Sequence, residues 1–251
     1  MIKVILSGCG GRMGKAVAAA VGNEVRIVAG VDVNAASIDA SDFPIYESIR
    51  EFSDKADVIV DFSHHSALPS LLDYAKATKT PVVVATTGHT DEELALMNEA
   101  ASEVAIFHSG NFSIGINLII NLAKQAARTL GADFDIEIIE KHHNKKLDAP
   151  SGTALMIANA VADEREESEY IYDRHSVRKA REPKEIGIHS VRGGSIVGEH
   201  EVIFAGANEV VSISHSAASR EIFANGALRA AIYLAGKSAG LYSMTDLIEG
   251  K

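Results

Sequence analysis

The chain has 251 residues, with 24 Lys and Arg against 34 Asp and Glu and a formal charge of -10. That balance, with no long basic stripe to offset it, argues against general nucleic-acid binding. No apolar run approaches the roughly 18–20 residues of a membrane span, and the opening MIKVILSGCGG lacks a signal-peptide core, so a soluble protein is expected. The single Cys9 cannot close an internal disulfide, which fits a reducing cytoplasm.

The first half alternates strand and helix. Ile2 to Leu6 is a short apolar run that suits a buried parallel strand, and it ends in Ser7-Gly8-Cys9-Gly10-Gly11-Arg12-Met13-Gly14 before a helical Ala-rich stretch. The spacing departs slightly from G-x-G-x-x-G, but the physical demand is the same: a tight turn, close approach of a pyrophosphate to backbone, and N–H groups at a helix start. Val25 to Val31 predicts a second strand that ends at Asp32, where such folds place a carboxylate on the adenosine ribose. Residues 57–62, 81–86 and 104–107 predict three further strands, with helices between them. Short right-handed crossovers then give a parallel sheet. The loops at 61–63, 86–88 and 109–112 are expected to gather around a dinucleotide at the C-terminal strand ends. His64 and His65 read as loop residues without metal-like spacing, and no metal site is expected.

The second half has another texture. A long helix from Ser113 to Leu130 leads to a strand at 135–139, then to Glu140-Lys141-His142-His143-Asn144-Lys145-Lys146 and the turn-prone Asp148-Ala149-Pro150-Ser151-Gly152. A basic cluster before a helix start at Thr153 is a good place to hold a carboxylate-bearing small molecule. A solvated basic loop is the bland alternative. Residues 163–184 are charged and read as a mobile surface excursion. Strands at 186–192, 198–204 and 209–215, separated by Gly193-Gly194 and Gly206-Ala207-Asn208, suggest antiparallel pairing. Alternation from Glu199 to Phe204 implies one covered face, and the open face of such a sheet favours an oligomer. A helix over 220–234 returns the chain to the first domain.

The expected fold is therefore α/β: a Rossmann-like dinucleotide-binding domain of residues 1–111 and 222–251, with an inserted α+β domain, 112–221, that carries an open mixed or antiparallel sheet. The inserted domain is expected to bind substrate and to oligomerise.

The motifs GCGGRMG at 8–14, DFS at 61–63, TTG at 86–88, GNFSIGIN at 110–117, EKHHNKKLDAPSGTA at 140–154, VRGGSIVGEHEVIF at 191–204 and SREIFANGALRAA at 219–231 carry an end-to-end resemblance. The chain resembles the 4-hydroxy-tetrahydrodipicolinate reductases, formerly dihydrodipicolinate reductases, of bacterial lysine biosynthesis by the diaminopimelate route. The resemblance implies reduction of a cyclic imine dicarboxylate by NADH or NADPH with loss of water, in a cytoplasmic homotetramer. It implies dinucleotide contacts from Gly8, Cys9, Gly10, Gly11, Arg12, Met13, Asp32, Ala85, Thr86, Thr87, Ser109, Gly110, Asn111 and Phe112. It implies His142 as proton donor and acceptor, Lys146 as proton donor, and His143, Ser151, Gly152 and Thr153 as substrate holders. One departure is Ala85, where the family usually has Gly.

A proton must reach the reduced ring, and a side chain that titrates near neutrality suits that task. Glu140 reads as structural, fixing the loop or orienting a histidine. Asp32 favours a free 2′-hydroxyl, so NADH is expected to serve at least as well as NADPH. Two other readings compete. Another two-domain NAD(P)H oxidoreductase on an amino-acid-like substrate would share the glycine loop but not the 142–153 string. A non-catalytic dinucleotide sensor would have no need of both His142 and Lys146.

Overall fold

The computed structural model describes residues 1–38 and 42–251. The chain divides into two compact units, Met1–Ile114 with Glu221–Lys251, and Gly115–Arg220.

The first unit opens with β1 (Ile2–Ser7), α1 (Arg12–Ala19), β2 (Val25–Val31), β3 (Ile45–Tyr46) and β4 (Val58–Asp61). It continues with α2 (Leu68–Thr78), β5 (Val82–Val84), α3 (Asp91–Ala100) and β6 (Ala105–His108). The helix α4 (Ile114–Leu130) leads into the second unit, with β7 (Asp135–His142), α5 (Gly152–Ala162), β8 (Glu169–Ile171), β9 (Glu185–Arg192), β10 (Gly198–Ala205) and β11 (Val210–Ala217). Three elements then complete the first unit: α6 (Glu221–Leu234), β12 (Gly240–Tyr242) and α7 (Met244–Glu249).

The seven strands of the first unit are all parallel, in the order β12-β6-β5-β4-β1-β2-β3. Helices cover both faces, so Val4, Ile5, Leu6, Val58, Ile59 and Val60 are fully buried in succession. The strand order reverses between β1 and β4, which opens a crevice beyond their C-terminal ends. Local signals stop and start the helices. Thr90 and Glu93 form a reciprocal capping box ahead of α3, and Pro69 sits in the first turn of α2.

The second unit has a mixed sheet in the order β11-β10-β7-β9-β8. One face packs Ile136, Ile138, Ile186, Ile188, Val202 and Phe204 against α4 and α5. The expected antiparallel pairing of 198–204 with 209–215 is present as β10 with β11. Pairing of β9 with β10 is not: β7 lies between them, parallel to β9 and antiparallel to β10. Ile136 and Ile138 bury β7 in the middle of the sheet, where the backbone N–H and C=O groups of both its edges need strand partners. Gly193-Gly194 wraps around the end of β7 instead of closing a hairpin. The Gly193 N–H donates to the His142 carbonyl at 2.9 Å, and the Asn144 N–H to the Gly194 carbonyl at 3.2 Å.

Residues 163–184 also differ from the expected mobile excursion. They contain β8, which pairs with β9, and Arg165 donates to the carbonyls of Phe134, Gly131 and Pro183 at 2.7, 3.0 and 3.0 Å. The charges that suggested looseness are the ties. The strands β3 and β12 and the helix α7 are too short for periodicity to show them. No described helix is long and apolar enough to cross a membrane.

Candidate active site

The glycine loop occupies the crevice of the first unit. Gly8 has φ 76°, and a Cβ there would stand 2.5 Å from the Phe62 carbonyl oxygen; one on Gly14 would stand 2.2 Å from the Gly8 carbonyl. Only glycine permits that turn and lets α1 start against the loop. Cys9 is buried and packs over Gly30, where a Cβ would meet its sulfur at 2.7 Å. Burial, followed by the nearby Asp32, pushes its thiol pKa up, which fits a packing residue. The Asp32 carboxylate accepts the N–H groups of Gly10 and Asn34, each at 3.0 Å.

Two cavities flank the loop. One of about 470 Å³ is lined by Gly8, Gly11, Asp32, Val33 and Glu47 among others. The other, of about 590 Å³, gathers Arg12, Met13, Ala85, Thr86, Thr87, Ser109, Gly110, Asn111 and Phe112. Cys9 and Gly10 line neither; they shape the loop from behind. Ala85 is buried at the wall, and its methyl is accommodated there. The sequence reading gave no role to Asp61. It is buried and accepts from Ser63 Oγ at 2.6 Å and Thr86 Oγ1 at 2.7 Å, tying two of the lining loops together. His64, His65 and Phe223 also line the larger cavity. His65 Nδ1 lies 2.9 Å from a Glu93 carboxylate oxygen. No group of His, Cys, Asp and Glu among the described residues could hold a metal ion.

The second unit assembles the basic stretch around Glu140, which is fully buried at the end of β7. Its Oε2 lies 2.6 Å from His142 Nδ1 and 2.7 Å from Arg192 Nη1, and its Oε1 lies 2.6 Å from Arg192 Nη2. The same Oε1 accepts the Ser151 N–H at 3.1 Å. Arg192 also donates to the Asp148 carbonyl at 2.7 Å, and Lys146 Nζ lies 2.8 Å from Asp148 Oδ2. Lys145 is exposed. The Ala149–Pro150 peptide is cis.

Ser151 is the N-cap of α5, its Oγ accepting the Ala154 N–H at 3.1 Å and lying 3.0 Å from His200 Nε2. Its N–H and hydroxyl therefore already have partners within the protein. Gly152 is exposed and Thr153 half-buried on the first turn, where helix N–H groups point outward. His143 Nδ1 is buried without a hydrogen-bond partner among the described residues. His200 and Arg192 were given no role in the sequence reading. The signal for His200 was there: strand alternation sets it on the covered face with Val202 and Phe204.

Burial alone would raise the pKa of Glu140. Hydrogen bonds from Arg192, His142 and Ser190 outweigh it and hold the carboxyl down at about 2. Burial, and then the neighbouring His142, push His200 down to about 4. His200 is thus held neutral, and its Nε2 shares a hydrogen bond with the Ser151 hydroxyl.

A parallel doubly wound sheet with a glycine loop at its switch point, joined to a unit that presents histidines, lysines and a helix start, defines a two-unit dinucleotide-dependent reductase. The chain belongs to the dihydrodipicolinate reductase family. The family's N-terminal description matches residues 2–112 and its C-terminal description residues 115–248. A 4-hydroxy-tetrahydrodipicolinate reductase of Caldanaerobacter subterraneus subsp. tengcongensis is 54% identical, over 99% of this chain and 99% of its own. One from Clostridium novyi is 52% identical over the whole of both chains, 100% of each. The solved structure of a dipicolinate-bound dihydrodipicolinate reductase from Paenisporosarcina sp. TG-14 superposes with a TM-score of 0.79 at 26% identity, covering 97% of each chain.

Proposed function

We propose that this protein reduces 4-hydroxy-tetrahydrodipicolinate to tetrahydrodipicolinate with loss of water, using NADH or NADPH, on the diaminopimelate route to lysine in the cytoplasm. The observation that carries the reading is the Glu140-centred constellation, in which His142, Arg192 and the start of α5 gather on one buried carboxylate while Lys146 pairs with Asp148 on the adjoining loop, within a chain of this family. The dipicolinate bound by the Paenisporosarcina relative is a planar ring with two carboxylates, and it supports a cyclic dicarboxylate as substrate.

The residues of the first unit fit a dinucleotide. The crowding at Gly8 and Gly14 leaves bare backbone where a pyrophosphate would lie, and the two cavities continue from either side of that loop. When bound, the reduced nicotinamide supplies the hydride. Asp32 would hold the adenosine ribose, while Arg12, Met13, Ala85, Thr86, Thr87 and residues 109–112 would line the rest. The smaller cavity presents the carboxyl groups of Asp32 and Glu47 and no Lys or Arg among the described residues. A 2′-phosphate would meet like charge there, which supports NADH over NADPH.

The second unit handles protons and carboxylates. His142 holds and moves the proton the reduced ring requires, and Lys146 is a second donor. His143 and the Ser151-Gly152-Thr153 turn hold the substrate's carboxylates. The buried unpartnered Nδ1 of His143 and the outward N–H groups of the helix start support that division. The face of the sheet opposite α4 and α5 carries Ile139, Lys141, Glu199, Glu201 and Ile203, and supports a homotetramer built on it. Sedimentation tests that assembly.

The direct test is to supply fresh 4-hydroxy-tetrahydrodipicolinate with NADH or NADPH and follow nicotinamide oxidation. Folded protein that turns over neither pair would end the reading.

A further inference from the structure

Glu140 draws its partners from four segments: His142 on its own strand, Arg192 at the end of β9, Ser151 at the start of α5 and, through Arg192, the Asp148 carbonyl of the intervening loop. The register explains the convergence. Glu140 pairs with Ser190 and His142 with Arg192, so their side chains share the face that α5 covers. We propose that Glu140 is a positioning residue for the reductase reaction: clamped by Arg192 and the Ser151 N–H, it fixes His142 as its Nδ1–H form and turns Nε2 to the substrate. The proposal rests on the reductase reading above.

The argument is one of donors and acceptors. Arg192 has only N–H groups to give, and the Ser151 N–H gives a third, so the Glu140 carboxylate is ionised and accepts on every side. The contact with His142 Nδ1, at 2.6 Å, must then place the proton on Nδ1. A lone pair there would face a carboxylate oxygen at hydrogen-bond distance. With Nδ1 protonated, Nε2 alone exchanges protons: a lone pair in the neutral ring, an N–H in the imidazolium. Once the conjugated ring has been reduced it lacks one proton. The Nε2–H bond breaks, the proton joins the ring, and imidazole remains with Nδ1–H intact.

The surroundings keep that arrangement single. Around His142 stand Glu140 on β7, Arg192 on β9, His200 on β10 with His215 beyond it on β11, and Lys146 and Asp148 on the loop. His200 is edge-on to His142, with ring centroids 5.3 Å apart, and its Nε2 is engaged by Ser151, so it neither competes for Glu140 nor adds charge. A carboxylate that orients an imidazole and stabilises its cation acts through the histidine, without touching substrate.

The test combines nitrogen-15 NMR of His142 with kinetics of Glu140→Gln. In the wild-type protein without substrate, the neutral ring of His142 is expected to carry its proton on Nδ1. A neutral ring protonated on Nε2 overturns the proposal, and this measurement needs no variant. In Glu140→Gln, kcat should fall about 100-fold or more while the Kd for NADH stays within about twofold, since the dinucleotide residues are elsewhere. In the same variant the nitrogen-15 spectrum should show both neutral tautomers of His142, since a glutamine amide can donate to Nδ1 as well as accept from it. A folded Glu140→Gln protein with unchanged kcat and the wild-type tautomer overturns the proposal. Wild-type protein that shows Nδ1–H and no turnover instead overturns the reductase reading.

Discussion

Gly198 borders the outer nitrogen of His142: a Cβ on Gly198 would stand 3.1 Å from His142 Nε2. The pairing of Glu199 with Lys141 sets Gly198 beside His142 across the ladder. Glycine here leaves the proton-exchanging edge of the imidazole uncovered. Gly198→Ala should push the ring by a few tenths of an ångström, away from the Glu140 contact. The expected result is a kcat about tenfold lower with NADH affinity unchanged, read by steady-state kinetics and a fluorescence titration. Full activity in the alanine variant would show that the edge tolerates a methyl and that the glycine serves only the strand.

Acid stability follows from His200 and Glu140. Burial holds the folded His200 at about 4, below the ordinary histidine value of 6.5. Between those values the unfolded chain binds the extra proton, so stability falls as pH drops from 6.5 towards 4 and the loss is complete below 4. The full window is worth on the order of 3 kcal/mol. Glu140, held at about 2 against 4.5, acts lower down: its contribution is present above 4.5 and is lost as pH falls towards 2. His200→Gln keeps a group within reach of Ser151 and cannot titrate. Urea unfolding at pH 7.5 and 5 should show a smaller drop in stability for this variant than for wild type; equal drops would remove His200 as the cause.

Cofactor choice should respond to Glu47. Its carboxyl shares the 470 Å³ cavity with Asp32, and it is exposed, so a cation placed there has room. Glu47→Lys removes one repulsive charge and adds an attractive one. The ratio of kcat/KM for NADPH over NADH should rise by about tenfold at low salt and by less at high salt. A ratio that does not move would mean the 2′-phosphate lies elsewhere.

Much of the dinucleotide unit was legible because each β-α step writes itself locally: the apolar run Val25–Val31 coincides with β2, and Gly8 and Gly14 mark a turn that steric limits demand. The second unit was less legible because its order depends on pairing across long separations. Nothing local to Ile186–Arg192 says that β7, some fifty residues earlier, is its neighbour. The active stretch shows the same divide. His142 and Lys146 stand out by type and spacing, whereas Arg192 becomes part of the site only through a register that brings it beside Glu140. Ser151 reads as a free donor in the sequence, yet folding ties its N–H to Glu140 and its hydroxyl to His200.

The charged segment 163–184 makes the last test. Arg181 is mostly buried, and it donates to Asp135 Oδ1 at 2.7 Å, to Glu137 Oε1 at 3.1 Å and to the Ile136 carbonyl at 3.0 Å; it also donates to the Glu185 carbonyl. One guanidinium thus holds the segment against the first residues of β7. Arg181→Ala leaves the carbonyls of the buried residues Ile136 and Glu185 short of a donor where water has poor access, at a cost of about 2–3 kcal/mol. Glu137 retains Arg174 at 2.8 Å and His189 at 2.7 Å, so β7 itself should stay paired. The expected outcome is faster protease cleavage between residues 163 and 184, with kcat within about twofold of wild type because no proton-handling group is touched. Cleavage at the wild-type rate would mean that β8 pairing and Arg165 suffice to hold the segment.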